Sequence, residues 1–183
     1  MKVLAVYGST YGQAEAVMCR VAATLREHGH DVQTFKGDAV PADLAVDAFD
    51  AVIVAASIIV GKYQAYIRAF VRRNATTLRS RPTAFISVSG TSPESLKEWR
   101  DAARRYVATF CTQTGWEPRW TATFAGALRY RHYGVVTRWI MKLIAGRTGG
   151  PTDTSQEYEF TDWHAVDRFA RDLAKALGPA AAP

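Results

Sequence analysis

Gly8-Ser9-Thr10-Tyr11-Gly12-Gln13-Ala14 is the stretch of this 183-residue chain with the clearest chemical meaning. It sets two hydroxyls and a run of backbone N–H groups immediately before a helical pattern. The open end of a helix has unpaired donors and a partial positive charge, which suits a phosphate dianion. Gly12 lets the backbone curl tightly around such an anion. No Lys-Ser or Lys-Thr follows the last glycine, so this is not the loop that grips nucleoside triphosphates. The three-glycine spacing of dinucleotide sites is also missing. An ordinary polar turn with a helix cap draws on the same residue types, since Ser and Thr favour that position. Two further segments shift the balance toward a ligand. Ser57-Ile58-Ile59-Val60-Gly61-Lys62-Tyr63 and Ser87-Val88-Ser89-Gly90-Thr91 each combine small residues, backbone donors and apolar side chains. A flat heteroaromatic ring needs that mixture, with apolar faces for stacking and backbone groups at its polar edge.

Residues 126–150 carry a different chemistry. They hold Arg129, Arg131, Arg138, Lys142 and Arg147 and no acid, against a net charge of +6 for the whole chain. Val135, Val136, Trp139, Ile140, Leu143 and Ile144 fall on one helical face, with Thr137, Arg138 and Lys142 on the other. A basic helix with a Trp-bearing apolar face suits a membrane interface, with Arg138, Trp139 and Lys142 as its contacts. A core helix with a solvated basic face fits the same pattern. No groove-reading or RNA-binding motif accompanies the charge, so no nucleic-acid partner is expected. Just upstream, Arg129-Tyr130-Arg131-His132-Tyr133 alternates guanidinium and aromatic groups. Such a segment can hold a large, flat, carboxylated molecule, because Arg pairs with carboxylates bidentately and rings give stacking area. It can equally well cover a sheet edge. His132 and Tyr133 are candidate bases by proximity alone.

The elements that must position these segments alternate. Val3 to Tyr7 is a short apolar run of the kind a strand buried on both faces shows. A helix from about Gln13 to His28 follows, stopped by Gly29. Strands are expected at Asp31 to Phe35, Ala51 to Ala56, Thr83 to Val88 and Trp120 to Phe124. Helices are expected at Tyr66 to Leu78, Ser95 to Thr112 and Asp162 to Leu177. Strands alternating with helices imply a parallel sheet covered on both faces, with right-handed crossovers. Five strands favour the order 2-1-3-4-5, a flavodoxin-like three-layer sandwich. Residues 1–177 form a single domain, and 178–183 a frayed tail.

Composition narrows the setting. Nearly half of the residues are apolar and about a fifth charged, as in ordinary globular domains. The longest apolar run, Ala51 to Val60, falls far short of the roughly 20 residues that span a bilayer. No signal-peptide pattern is present. Cys19 and Cys111 lack partners at metal-ligand spacing, so no metal is expected and two reduced thiols make the cytoplasm the expected compartment.

A family likeness adds to this reading. Ala55-Ala56-Ser57-Ile58, Gly61 with Tyr63, Ala84-Phe85 with Ser87-Val88, Ala125-Gly126-Ala127-Leu128-Arg129-Tyr130, Met141-Lys142-Leu143-Ile144, Gly149-Gly150 with Thr152-Asp153-Thr154, and Thr161-Asp162-Trp163 resemble the flavodoxin-like, quinone-dependent protoporphyrinogen IX oxidases. The resemblance runs from residue 1 to about 177. It implies an FMN enzyme that takes six electrons from protoporphyrinogen IX and passes them to a membrane quinone such as menaquinone or ubiquinone. It also implies a place at the cytoplasmic face of the membrane. Carried over by position, phosphate contacts fall on Ser9, Thr10, Tyr11, Gly12, Gln13 and Ala14. Ring contacts fall on Ser57, Ile58 and Gly61 and on Ser87, Val88, Ser89 and Gly90, and the stretch ending at Asp153 and Thr154 closes over the flavin. Arg129, Tyr130 and Arg131 meet the substrate.

Two departures stand out. Ala14 occupies a position where the family usually has a phosphate-binding hydroxyl, and Ile59-Val60 replaces a more polar, aromatic pair. A plain electron-carrying flavodoxin, an NAD(P)H-dependent quinone reductase and a flavin-free binding module remain alternatives. A homo-oligomer is also left open.

Overall fold

The computed structural model describes residues 1–89, 97–147 and 151–178, apart from the side chains of Met141 and Ile144. Its centre is a five-stranded parallel sheet in the order β2-β1-β3-β4-β5. The strands are β1 (Lys2–Gly8), β2 (Asp31–Lys36), β3 (Ala51–Ser57), β4 (Thr83–Ser89) and β5 (Trp120–Ala125). Every residue of β3 and β4 is buried, which is why Ala51 to Ala56 reads as an unbroken apolar run and β4 combines apolar residues with only small hydroxyl side chains. Helices α1 (Gln13–Glu27) and α6 (Trp163–Leu177) cover one face of the sheet. On the other face lie α2 (Ala65–Arg73), α3 (Ala75–Arg79) and α4 (Lys97–Thr114). The three-layer sandwich and its strand order agree with the sequence expectation.

Two cores result. Val17, Val21 and Leu25 of α1 and Val166, Ala170 and Leu173 of α6 pack onto Val3, Ala5, Ile53 and Ile86. Opposite them, Phe85, Phe110 and Trp116 form an aromatic cluster with Tyr63, in which Phe85 and Phe110 stack at 4.6 Å. Sheet register sets the ends of the strands level: Gly8 lies opposite Ala56, Ser57 opposite Val88, and Ser89 opposite Ala125. The loops that follow β1, β3 and β5 therefore leave from one edge, where ligands of open α/β sheets bind.

Two details differ from expectation. The single helix expected over 66–78 is broken at Asn74, whose side-chain amide donates to the Phe70 carbonyl at 2.8 Å. A short polar side chain that bonds the backbone in this way competes with helix continuation. The region after β5 is more than a helix. It opens with β6 (Ala127–Arg129) and a 3-10 turn at Tyr130–His132, then runs into α5 (Val135–Arg147). It closes with β7 (Glu157–Glu159), which pairs antiparallel with β6. Leu128, Tyr130, Tyr133 and Ala145 give this insert a small core of its own. No helix among the described residues is long and apolar enough to cross a membrane.

Candidate functional site

The first helix starts without a side-chain cap. Gly12 occupies the N-cap position with φ 87°, and its carbonyl accepts from the Ala16 N–H at 2.9 Å. That left-handed conformation suits glycine, and space is open around the position where a Cβ would stand. With no side chain on them, the first N–H groups of α1 face the edge of the sheet as free donors. Beside them the Ser9 hydroxyl is buried without a partner among the described residues. A buried orphan hydroxyl costs about 1–3 kcal/mol, and an anion held at the helix end removes that cost. The donors present here, a hydroxyl and a row of backbone amides, match a phosphate.

Neighbouring elements hold this loop in place. Gly8 ends β1 directly under α2, where a Cβ would lie 2.4 Å from Ile67 Cγ1. Only glycine admits so close an approach. Gln64, the residue before α2, donates from Nε2 to Thr10 Oγ1 at 3.1 Å and to Ser57 Oγ at 2.8 Å. The side chain of Gln13 is engaged elsewhere. It donates to Thr161 Oγ1 at 2.8 Å and to Glu159 Oε1 at 3.2 Å, and accepts from Arg129 Nη2 at 3.3 Å. The side-chain amide of Gln13 thus ties α1 to the insert and leaves its backbone N–H at the start of the helix. Tyr11 meets Tyr133 edge to face at 4.5 Å, a second tie to the insert. Ala14 is fully buried in the core and contributes backbone only.

The segment after β3 forms a tight hairpin turn. Ile59 and Lys62 exchange backbone hydrogen bonds at 3.0 and 3.1 Å, with φ of 47° at Val60 and 74° at Gly61. Positive φ at both central residues defines a type I′ turn, and a β-branched residue there is strained. Val60 is exposed, and Tyr106 of α4 lies against Gly61. Ile58 is anchored by donating its N–H to the Val88 carbonyl at 2.9 Å. Ser57 and Ser89 are buried at their strand ends, and the Ser89 carbonyl accepts from Trp99 Nε1 at 3.2 Å.

Some residues singled out from sequence do not face the site as expected. Ser87 is fully buried with its hydroxyl paired to Tyr63 at 2.8 Å, and Val88 packs into the core, so both act from behind the strand ends. Gly90 lies outside the described residues. Asp153 is exposed and locked in a local turn, accepting from the Ser155 N–H at 2.9 Å and hydroxyl at 2.7 Å. Those bonds hold its carboxyl below the usual range. Thr154 is half-buried beside it.

In the insert, Tyr130 is wholly buried and donates to the Pro151 carbonyl at 2.8 Å. It builds the insert's core rather than offering a stacking face. Arg129 reaches Gln13 and, at 3.6 Å, Glu157, while its Nε is buried without a partner. Arg131 is exposed and donates from Nε to the Ser155 carbonyl at 3.0 Å. His132 Nδ1 lies 2.9 Å from Glu157. Burial pushes the Tyr133 phenol up to about 12, which removes it as a base near neutrality.

The helix of the insert is turned outward. Val135 is 84% exposed, Val136 72% and Trp139 67%, with Leu143 also exposed. These four side chains lie in solvent, where a core helix would bury them, while Ile140 is half-buried. Arg138, expected beside Trp139 and Lys142 at a membrane, is half-buried and donates to the carbonyls of Tyr130 and Tyr133 at 3.0 and 3.1 Å. It clamps the 3-10 turn instead. Lys142 and Arg147 remain exposed, and at 100° per residue they fall on either side of the apolar stripe.

Gln64, Trp99, Tyr106 and Glu157 were missed in sequence. None sits in a motif, and each joins the site only through tertiary packing. A glutamine where helix caps usually have Ser, Thr, Asp or Asn was the single local signal available.

Comparison with known proteins agrees with this geometry. Residues 4–155 match a flavodoxin domain family model. The protoporphyrinogen IX dehydrogenase [quinone] of Escherichia coli (strain K12) is 33% identical over 174 residues, covering 95% of each chain. A protein of the same name from Leishmania major is 33% identical over 178 residues, 94% of this chain and 74% of that one. A solved flavodoxin from the domain Archaea superposes with TM-score 0.54 at 20% identity, over 97% of this chain and 99% of the other, which speaks to the fold. The chain belongs to the flavodoxin-domain family, among the relatives named protoporphyrinogen IX dehydrogenase [quinone].

Proposed function

We propose that this protein is an FMN-dependent dehydrogenase that oxidises protoporphyrinogen IX to protoporphyrin IX and delivers the electrons to a membrane quinone. The observation that carries the reading is the uncapped start of α1 beside the orphaned Ser9 hydroxyl. One anion seat favours a flavin with a single terminal phosphate. The name shared by the relatives supports the substrate and the acceptor. When bound, FMN takes up hydrogen equivalents from the porphyrinogen and passes them to the quinone.

The hydroxyls of Ser9 and Thr10 and the amides of Tyr11 to Ala14 hold the phosphate. Ala14 has no hydroxyl to add, so the seat lacks one charge-assisted bond, worth about 1.5–3 kcal/mol. Backbone groups at Ser57 to Gly61 and at Ser89 meet the polar edge of the ring. Arg129 and exposed Arg131 orient the substrate carboxylates. Tyr133 is already protonated near neutrality and takes no proton, so the proton passes to exposed His132, in contact with Glu157, or directly to solvent.

The exposed stripe of α5, flanked by Lys142 and Arg147, lies in the headgroup region on the cytoplasmic face, where a lipid-soluble quinone can be reached. The flanking cations favour anionic lipid.

The test is anaerobic incubation of FMN-loaded protein with protoporphyrinogen IX and a menaquinone analogue. Fluorescent porphyrin should form well above the uncatalysed rate and only with quinone present. Porphyrin at the background rate overturns the reading. Quinone reduction with NAD(P)H in its place would make the protein a reductase.

A further inference from the structure

Resting on the phosphate seat just described, we propose that Gln64 is a positioning residue that aims the Thr10 hydroxyl at the anion. Gln64 stands between the two loops that make the site. Its Nε2 donates to Thr10 Oγ1 on one side and Ser57 Oγ on the other, at 3.1 and 2.8 Å. A hydroxyl has one hydrogen and two acceptor positions. With the Gln64 amide filling an acceptor position on Thr10, the hydroxyl hydrogen is left for another acceptor, and a phosphate dianion offers nothing else. Ser57 shows the same logic: it receives from Gln64 and points its own hydrogen to the Gly8 carbonyl at 3.5 Å.

The orientation is held from behind. Gln64 Oε1 is buried without a partner among the described residues, against Gly8, where an added Cβ would lie 2.7 Å away. Ile67 packs under Gly8, and the Tyr66 hydroxyl bonds the Ser9 backbone. Because Ala14 supplies no hydroxyl, the seat depends more heavily on Thr10. An acid at position 64 would place an acceptor where the amide donor now stands. It would draw the Thr10 hydrogen inward and add negative charge near the phosphate.

The test compares FMN with riboflavin, which lacks the phosphate, by quenching of flavin fluorescence on the intact protein. The wild type should bind FMN the tighter of the two. Gln64→Met should reduce that preference about tenfold and Gln64→Glu about a hundredfold, with riboflavin affinity falling far less than FMN affinity in both. In a Thr10→Val background, Gln64→Met should cost nothing further, since the hydroxyl it directs is gone. Melting temperatures confirm that each variant folds, and Gln64→Glu, nearly isosteric, stands in if the methionine does not. Either variant keeping the wild-type preference, or losing both ligands in parallel, overturns the role. So does a full additional loss in the Thr10→Val background. A wild type with no preference for FMN overturns the phosphate seat itself.

Discussion

Ser9 separates stability from function at the level of one atom. Its hydroxyl has no partner among the described residues, so it burdens the fold, and on the proposed reading an anion relieves that burden. Ser9→Ala should leave the melting temperature of the flavin-free protein unchanged or raise it by a few degrees. The same substitution should weaken FMN binding about tenfold. A core serine with a purely structural role would give the reverse pattern, with lower stability and unchanged affinity. Calorimetric titration alongside a thermal melt reads both quantities. The same scale shows why the sequence spoke clearly here and less clearly nearby. Ser9, Thr10 and Gly12 announce themselves through residue type beside a helix start. Ser87 and Tyr130 also carried promising types, yet the structure pairs one with Tyr63 and buries the other in the insert. Residue type tells what a side chain can do, while its partners decide whether it is available.

At the scale of elements, β1 and β3 were the most legible strands because both faces of the sheet are covered there and their sequences are nearly all apolar. The hairpin of β6 and β7 was not legible. Each strand has three residues, the two lie some thirty positions apart, and their pairing is fixed by Gln13 and Thr161 rather than by a turn signal. Helix α5 was recognised as amphipathic, but the side that would face the core could not be read from periodicity alone. The structure turns Val135, Val136, Trp139 and Leu143 to solvent and takes Arg138 inward. Replacing Val135 and Trp139 together by Asp should therefore abolish co-sedimentation with phosphatidylglycerol vesicles while FMN affinity stays within twofold of wild type. Wild type should bind neutral vesicles more weakly. Vesicle binding that survives the double substitution would remove α5 from the membrane, and a change of mass on size-exclusion chromatography would assign the stripe to a second copy of the chain.

On the scale of the whole molecule, two ties join the phosphate loop to the insert: Gln13 to Glu159, Thr161 and Arg129, and Tyr11 to Tyr133. The fold thus connects the loop proposed to anchor the cofactor to the insert proposed to meet substrate and lipid, across elements far apart in sequence. The account stands or falls on the anchor. The most direct measurement is the 15N–1H correlation spectrum of the flavin-free protein titrated with FMN and, separately, with riboflavin. The account predicts that the amides of Thr10 to Ala14 shift strongly with FMN and little with riboflavin, while amides near Ser57 to Gly61 respond to both. Amides at the start of α1 that stay still as FMN saturates the protein would contradict it.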